Sequence, residues 1–363
     1  MSDREDPILD AIVAVVPPLL HALETLGLVA RRLHPSQLAA LARSVEEHDA
    51  ALRHAAGQFQ AVAWPDRLAP FRDRIDLTGE AVLRAFDGLR EAATAPDGLL
   101  LAYRALRQYS RAMEALYPVA AMLPTVSRFY LEPSARDDAA LLARLNGAES
   151  SRPGTGVMHS GNERGMRGGF SLYVPEYYDP GRAHPLVMAM HGGAGHGRQF
   201  LWNWLSEART RGFILIAPTA IGDTWSLMEP EQDSANIERM LAHVRQNWNI
   251  DPARMLLTGM SDGGTFALVS GLHDRSPFTH IAPFAASFHP LLVEMADPRR
   301  LSGLPVYLVH GALDWMFPVA MARAAERALS AAGARVTYRE VEDLSHTYPR
   351  DENPALLDWF LAG

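Results

Sequence analysis

The sequence predicts an α/β domain, with a mostly parallel sheet covered by helices on both faces, preceded by an all-α helical bundle. Three observations carry this prediction. Residues 6 to about 145 show helical periodicity and almost no strand signal. A stretch rich in Gly, Ser, Pro and Arg follows, between Asn146 and Arg167. Beyond it, short apolar runs alternate with helical segments, which is typical of a buried parallel sheet.

In the first part of the chain, apolar stripes are separated by proline and glycine. One helix is expected to begin near Ser36, after Pro35. A second stripe runs over residues 68–89 with a break near Gly79, and a third over residues 99–116. This pattern predicts a bundle of about four to six helices. We therefore divide the chain into a helical domain at 1–149, a linker at 150–166 and an α/β domain at 167–363.

Seven apolar runs in the α/β domain read as strands. They cover residues 170–174, 186–190, 213–217, 255–257, 280–285, 306–309 and 336–341. Helical segments at 235–247 and 320–332 lie between some of these runs. The alternation indicates parallel strands joined by helices.

Composition excludes several classes of function. The chain has 363 residues and a net charge of −8, which disfavours a nucleic-acid partner. It has no cysteine, and so no disulfide, thiolate zinc site or cysteine nucleophile. No H-E-x-x-H pattern occurs, and the glycine-rich run 192–197 lacks the lysine of a phosphate-binding loop. We predict no metal and no organic cofactor.

The amino-terminal stretch gives the expected location. Residues 1–6 lean acidic, unlike a signal peptide. The apolar run 8–30 is interrupted by Asp10, Pro17 and Glu24, which makes it a poor membrane span. We expect no stable membrane insertion and a cytoplasmic location. The oligomeric state stays open, with a homodimer as one hypothesis.

The pentapeptide Gly259-Met260-Ser261-Asp262-Gly263 fits G-x-S-x-G. It follows a predicted buried strand and precedes a helix-compatible run, the context of a nucleophile elbow. Such a turn is so tight that the neighbours of the serine must lack bulk. We therefore predict that Ser261 is a nucleophile.

A serine hydroxyl needs an imidazole to take its proton and a carboxylate to orient that imidazole. In this fold class the chain order is Ser, then Asp or Glu, then His. Asp314 lies shortly after the strand 306–309, and His346 follows the last strand. We predict a triad of Ser261, Asp314 and His346. Two alternatives stay open for the acid: Asp314 as a helix cap, and Asp343 as the substitute carboxylate.

Two backbone N–H groups should hold the oxyanion of the reaction intermediate. One is expected from Asp262, which follows the nucleophile. The other should come from the glycine-rich loop after the strand 186–190, where we place it on Gly193 with Ala194 as the alternative. His191 and His310 each precede a glycine at a strand end, and we interpret both as loop-holding groups.

Residues 167–363 resemble the phospholipase/carboxylesterase branch of the α/β-hydrolases, which includes acyl-protein thioesterases and feruloyl-esterase-like enzymes. The matching motifs are His191-Gly192-Gly193, Ile250-Asp251-Pro252-Ala253-Arg254, Gly259 to Gly264, His310 to Asp314 with Phe317-Pro318, Ser345-His346 and the opening strand Phe170 to Pro175. The resemblance implies hydrolysis of carboxylic esters or thioesters through an acyl-enzyme, without a cofactor. Asp262 departs from the Gln or Ala that the family often has there. The helical domain lies outside the resemblance.

Four residues near strand ends are candidate substrate contacts: His196, Trp225, Phe288 and His289. For the two aromatic residues, burial in the core is the simpler alternative. We expect a small ester as substrate. Thioester or peptide hydrolysis by the same triad is an alternative, as is a non-catalytic binding protein. The helical domain is interpreted either as a lid or as an oligomerisation module.

Overall fold

The computed structural model describes residues 6–149 and 152–362. It divides into two compact units whose boundary falls between Arg136 and Asp137. The residues outside the description are Met1–Glu5, Ser150, Ser151 and Gly363. Most of the acidic amino-terminal run and the first two residues of the predicted linker therefore lie outside the described residues.

The first unit is helical, as the sequence predicts. Its α-helices in the described residues are α1 Pro7–Arg31, α2 Leu38–Ser44, α3 Glu46–Gln60, α4 Ala69–Ala92, α5 Gly98–Leu116 and α6 Pro124–Phe129. The predicted break near Gly79 is wrong, because α4 continues through it. A glycine inside a helix costs about 1 kcal/mol. The buried side chains of Ile75 and Val82, on either side of Gly79, hold the helix in the core.

Helix α1 is the long apolar element of this unit. The Asp6 carboxylate caps it by accepting a hydrogen bond from the Ile8 N–H at 3.0 Å. By length and composition, α1 could cross a bilayer, although we expected a poor span. Its Leu19, Leu23 and Leu26 side chains are fully buried, as in the core helix of a globular unit. The cytoplasmic location stays a prediction.

The second unit contains one eight-stranded sheet. Its strands are β1 Gly156–Ser160, β2 Phe170–Val174, β3 His184–Met190, β4 Ile214–Pro218, β5 Ile250–Met260, β6 His280–Phe284, β7 Pro305–Gly311 and β8 Arg335–Val341. Their order across the sheet is β1-β2-β4-β3-β5-β6-β7-β8. β1 pairs antiparallel with β2, and β2 pairs antiparallel with β4. All other neighbouring strands in the sheet, β3 included, pair in parallel. The seven predicted strands are all present.

Helices connect these strands. In the described part of the second unit they are α7 Ala139–Gly147, α8 Gly197–Phe200, α9 Leu205–Arg211, α10 Glu231–Asn247, α11 Asp262–Gly271, α12 Leu291–Glu294, α13 Pro298–Leu301, α14 Val319–Ala331 and α15 Asn353–Ala362. Every residue of β2, β4 and β6 is buried. A parallel sheet buried in this way requires cover on both faces.

The unit boundary differs from the predicted domain limits. Helix α7, which we had assigned to the helical domain, belongs to the second unit. There the Arg144 guanidinium lies 4.7 Å from the centre of the Tyr177 ring. The segment 150–166, interpreted as a linker, contains β1, whose Val157 pairs with Tyr173 of β2. The Gly- and Ser-rich composition around β1 concealed a strand of only five residues.

Candidate active site

Ser261 occupies the turn between β5 and α11. Its backbone has φ 55° and ψ −120°, a region that side-chain-bearing residues rarely adopt. The Ser261 N–H donates to the Phe284 carbonyl at 2.9 Å, and the Ser261 carbonyl accepts from the Thr265 N–H at 2.8 Å. These two bonds hold the strained residue in place, as expected for strain stored at a functional site.

The two glycines of the motif are required by close backbone packing. A Cβ on Gly263 would lie 2.4 Å from the His191 carbonyl oxygen, and a Cβ on Gly259 would lie 2.5 Å from the Gly263 carbonyl. Neither distance is compatible with a side chain. The elbow therefore packs directly against the end of β3 and the start of the loop that follows it.

The structure brings Ser261, Asp314 and His346 together. Ser261 Oγ lies 3.0 Å from His346 Nε2, and Asp314 Oδ2 lies 2.8 Å from His346 Nδ1. All three side chains are buried. With Asp314 ionised, Nδ1 donates to the carboxylate and leaves Nε2 to accept the serine proton, the tautomer that nucleophile activation needs.

Asp314 also caps the short turn that follows it. Its Oδ1 accepts hydrogen bonds from the N–H groups of Met316 at 2.9 Å and Phe317 at 2.8 Å. Burial alone would raise the pKa of Asp314, but the bonds from His346 and these N–H groups outweigh it and hold the pKa below its ordinary value. The cap on this turn and the predicted triad role are thus compatible in one carboxylate.

His310 contacts the same turn through its side chain. Its Nε2 lies 2.9 Å from the Phe317 carbonyl and 3.5 Å from Asp314 Oδ2, and the residue is almost fully buried. These contacts agree with its interpretation as a loop-holding group.

The loop after β3 lies against the nucleophile. A Cβ on Gly192 would be 3.5 Å from Ser261 Cβ. The Ala194 N–H donates to the Asp223 carbonyl at 3.1 Å, and the Gly195 N–H donates to the Gly192 carbonyl at 3.0 Å. The Ala194 amide is thus already used within the protein, which favours Gly193 as the loop donor.

Asp262 is the first residue of α11, where the N–H groups of a helix have no intrahelical acceptor. The positive end of the helix dipole favours negative charge at this point. Its side chain turns to Thr224, whose hydroxyl donates to Asp262 Oδ2 at 2.5 Å. A Cβ on Gly193 would lie 2.8 Å from the same oxygen. The carboxylate is therefore partnered, although it remains close to the Gly193 backbone.

His191 anchors the glycine loop as a neutral imidazole. Its Nε2 accepts a hydrogen bond from the Ala220 N–H at 3.1 Å, while Nδ1 lies 2.7 Å from the Gly192 carbonyl. Trp225 Nε1 donates to the His191 carbonyl at 2.8 Å. Burial lowers the pKa of His191 to about 3, so the loop carries no charge at neutral pH.

This neutral histidine predicts an acid-side loss of stability. Between pH 6.5 and about 3 the unfolded chain binds a proton that the folded chain does not. The free energy of unfolding therefore falls on acidification, by about 1.4 kcal/mol per pH unit from this residue. We expect His191→Gln to reduce the shift of the urea midpoint between pH 7 and pH 5. The exposed His54 of α3, replaced in the same way, is the control for the substitution itself. Equal shifts in wild type and His191→Gln would contradict the prediction.

The four predicted substrate contacts lie in different settings. Trp225 is buried and stacks on Phe266, with ring centres 5.3 Å apart. Phe288 is buried in the hydrophobic core beside the sheet. Both rings are buried in the core, and a substrate contact by either of them stays a prediction.

The two histidines are held by backbone contacts. His196 Nε2 lies 2.9 Å from the Met166 carbonyl, and its Nδ1 accepts from the Arg198 N–H at 3.2 Å, which caps α8. His289 is exposed, and its Nδ1 accepts from the Leu291 N–H at 3.2 Å. Both nitrogens of His196 are engaged within the protein. A substrate contact by either histidine stays a prediction.

Two residues that the sequence analysis did not name as site residues lie beside His346. Trp315 and Phe317 flank His346, with ring centres 6.1 Å and 5.4 Å from the imidazole centre. Their position directly after Asp314 was the available signal. The hydrogen bond from Thr224 to Asp262 joins residues 38 positions apart, a separation that leaves no local signal in the sequence. Within residues 6–149 and 152–362, no group of three His, Asp or Glu side chains is placed to hold a metal ion.

Comparison with known proteins gives one family match and several partial relatives. Residues 226–359 match the family model described as Phospholipase/Carboxylesterase, over less than half of the chain. A bifunctional acetylxylan esterase/xylanase of Neocallimastix patriciarum is 27% identical over 158 residues, covering 42% of this chain and 22% of the relative. Feruloyl esterase C of Emericella nidulans is 28% identical over 158 residues, covering 41% and 56%. The aligned part therefore spans about a fifth of the first relative and little more than half of the second.

Solved structures include partial likenesses to this chain. A thermophilic esterase from Thermogutta terrifontis has a TM-score of 0.47 at 17% identity, covering 60% of this chain and 92% of that one. The second unit is an α/β-hydrolase by its sheet order and its strand–turn–helix junction at Ser261. Within that class, the match over residues 226–359 confirms the predicted resemblance to the phospholipase/carboxylesterase family.

Proposed function

We propose that this protein hydrolyses carboxylic esters through an acyl-enzyme formed on Ser261. One observation carries the proposal. Ser261 Oγ, His346 and Asp314 form a continuous pair of contacts of 3.0 Å and 2.8 Å in a buried setting. Nucleophile, base and orienting acid are each within hydrogen-bond reach of the next, as nucleophilic catalysis requires.

The proposed reaction has two halves. Ser261 Oγ attacks the ester carbonyl while His346 Nε2 takes its proton, and the N–H groups of Gly193 and Asp262 hold the oxyanion. His346 then returns the proton to the leaving alcohol, and Asp314 stabilises the imidazolium formed in between. In the second half, water replaces the alcohol and attacks the acyl carbon while His346 Nε2 takes one of its protons. The bond between that carbon and Ser261 Oγ then breaks, Oγ takes the proton from His346, and the acid leaves. None of these steps calls on a metal or an organic cofactor.

Relatives and geometry favour ester hydrolysis over the alternatives. Two of the curated relatives are named as acetylxylan esterases, one of them bifunctional, and a third is named as a feruloyl esterase, which supports oxygen esters as substrates. Thioester and peptide hydrolysis would use the same three side chains. A non-catalytic binding protein is disfavoured because such a protein has no need of this aligned set. Cytoplasmic location and a homodimer stay predictions.

Covalent labelling tests this proposal. We expect a fluorophosphonate to add one phosphonyl group per chain, on the peptide that contains Ser261, and to abolish hydrolysis of p-nitrophenyl acetate. Ser270→Ala, on the helix α11 that follows Ser261, should label and hydrolyse like wild type. An oxygen ester and a thioester with the same acyl group, compared by kcat/KM, separate the two chemistries. A folded protein that neither labels nor hydrolyses any ester would overturn the proposal.

A further inference from the structure

One tryptophan of this chain lies in an unusual environment. Of its seven tryptophans, all within the described residues, Trp315 alone is exposed. It retains 42% of its accessible surface, against 1% for Trp202 and 0% for Trp204. Tryptophan is highly buried on average. Leu313 and Met316, in the same loop, are exposed as well, at 50% and 45%. Exposed apolar side chains that lie together can form a contact surface.

This tryptophan is positioned by the triad itself. Its ring centre lies 6.1 Å from that of His346, with 72° between the planes. The next residues of its loop are fixed, since Asp314 Oδ1 accepts the N–H groups of Met316 and Phe317. The Phe317 carbonyl is in turn held by His310. The ring is therefore carried by a rigid segment, as a binding surface should be.

The chemistry of His346 decides which part of a substrate meets this ring. Its Nε2 must deliver a proton to the leaving oxygen, so that oxygen comes within hydrogen-bond distance of the imidazole. The group attached to the leaving oxygen then lies over or beside His346. Aromatic rings interact favourably at centre separations of about 4.5–7 Å. A planar group next to the leaving oxygen can therefore reach Trp315.

We propose that Trp315, with Leu313 and Met316 beside it, forms the subsite for the alcohol part of the ester and takes alcohols that carry a planar ring. The proposal rests on the esterase function proposed above. It assigns the ring of the substrate to the leaving group and leaves the acyl side to other residues.

A subsite for the alcohol has a second consequence. After the alcohol leaves, an alcohol with a ring can enter the same place in competition with water. Its oxygen bonds to the acyl carbon as its proton passes to His346 Nε2. The bond between that carbon and Ser261 Oγ then breaks, and Oγ takes the proton back. The products are a new ester and the free enzyme, which is acyl transfer without any further reactant.

The test fixes the acyl group and varies the alcohol. Phenyl acetate and hexafluoroisopropyl acetate both have acidic leaving groups, but only the first carries a ring. We expect Trp315→Ala to lower kcat/KM for phenyl acetate on the order of tenfold. This ratio reports the acylation half of the reaction. The other ester should change less than twofold, and Trp315→Phe should keep most of the preference. Met295→Ala, which removes a side chain that is 83% exposed elsewhere in the second unit, should behave as wild type.

Two further measurements locate the effect. Burst kinetics should show an unchanged rate of deacylation by water in Trp315→Ala, because the alcohol has already left. With benzyl alcohol added, wild type should form benzyl acetate, and Trp315→Ala should form several-fold less relative to acetate.

Three results would overturn the proposal. An equal loss with both acetates would make Trp315 a support for the triad. An unchanged kcat/KM for phenyl acetate in Trp315→Ala would show that the ring of the alcohol does not meet Trp315. Unchanged acyl transfer to benzyl alcohol would remove the shared subsite. In each case wild type still hydrolyses esters and Ser261 still takes the phosphonyl label, so the proposed function stands. A wild-type protein without label or hydrolysis would overturn both.

Discussion

Replacing Ser261 by alanine is expected to lower kcat for ester hydrolysis by about 10⁶-fold, the scale on which such nucleophiles act. Alanine keeps the Cβ, so the strained backbone at φ 55° and its bonds to Phe284 and Thr265 persist. The melting temperature should therefore change little while activity disappears. A residual rate above that of water alone would come from substrate binding and the oxyanion donors.

The matched control is Ser270→Ala, in the last turn of α11. Its kcat should stay within about twofold of wild type, because surface changes away from special contacts have small effects. Activity of Ser261→Ala within tenfold of wild type, with the burst of p-nitrophenol intact, would show that another group attacks the ester.

Asp314→Asn is expected to lower kcat by about 10⁴-fold at neutral pH. The structure specifies how the amide would lie. The oxygen that replaces Oδ1 remains on the Met316 and Phe317 N–H groups, so the amide NH₂ takes the place of Oδ2 and faces His346 Nδ1. The imidazole then turns to the tautomer with its proton on Nε2, which cannot accept the proton of Ser261.

Asp343→Asn separates the two candidate acids. It should retain most of the activity if Asp314 orients His346. A larger loss in Asp343→Asn than in Asp314→Asn would transfer the role to Asp343. Melting curves belong beside the kinetics. Since Asp314→Asn keeps the cap on Met316 and Phe317, its melting temperature should stay near that of wild type, whereas Asp314→Ala loses the cap and should melt lower.

The fold class and the three residues of the candidate triad could be predicted from the sequence alone. Chain order and the ends of predicted strands singled out Ser261, Asp314 and His346, and the structure brings these three side chains into contact. Such positions are readable because the topology of a parallel sheet fixes where strand ends meet. The sequence contains no comparable signal for the direction in which a loop side chain points.

The aromatic residues near the site show that limit. Trp225 and Trp315 both follow strands, yet Trp225 turns inward to stack on Phe266 while Trp315 stays exposed beside His346. The difference arises from contacts with residues distant in sequence. The indole N–H of Trp225 donates to the His191 carbonyl, which holds the ring in the core. The pairing of Thr224 with Asp262 depends on the same kind of long-range approach.

The short strand β1 determines how the second unit can be isolated. A chain shortened to begin at Arg167 would lose β1 and leave the apolar strand β2, Phe170–Val174, with an open row of backbone N–H and C=O groups. Open apolar edges of this kind pair with other chains and aggregate. A chain beginning at Asp137 keeps β1, which pairs with β2 and covers its backbone hydrogen-bonding groups. We therefore expect the solubility of the isolated second unit to depend on five residues that lie far from Ser261 in sequence.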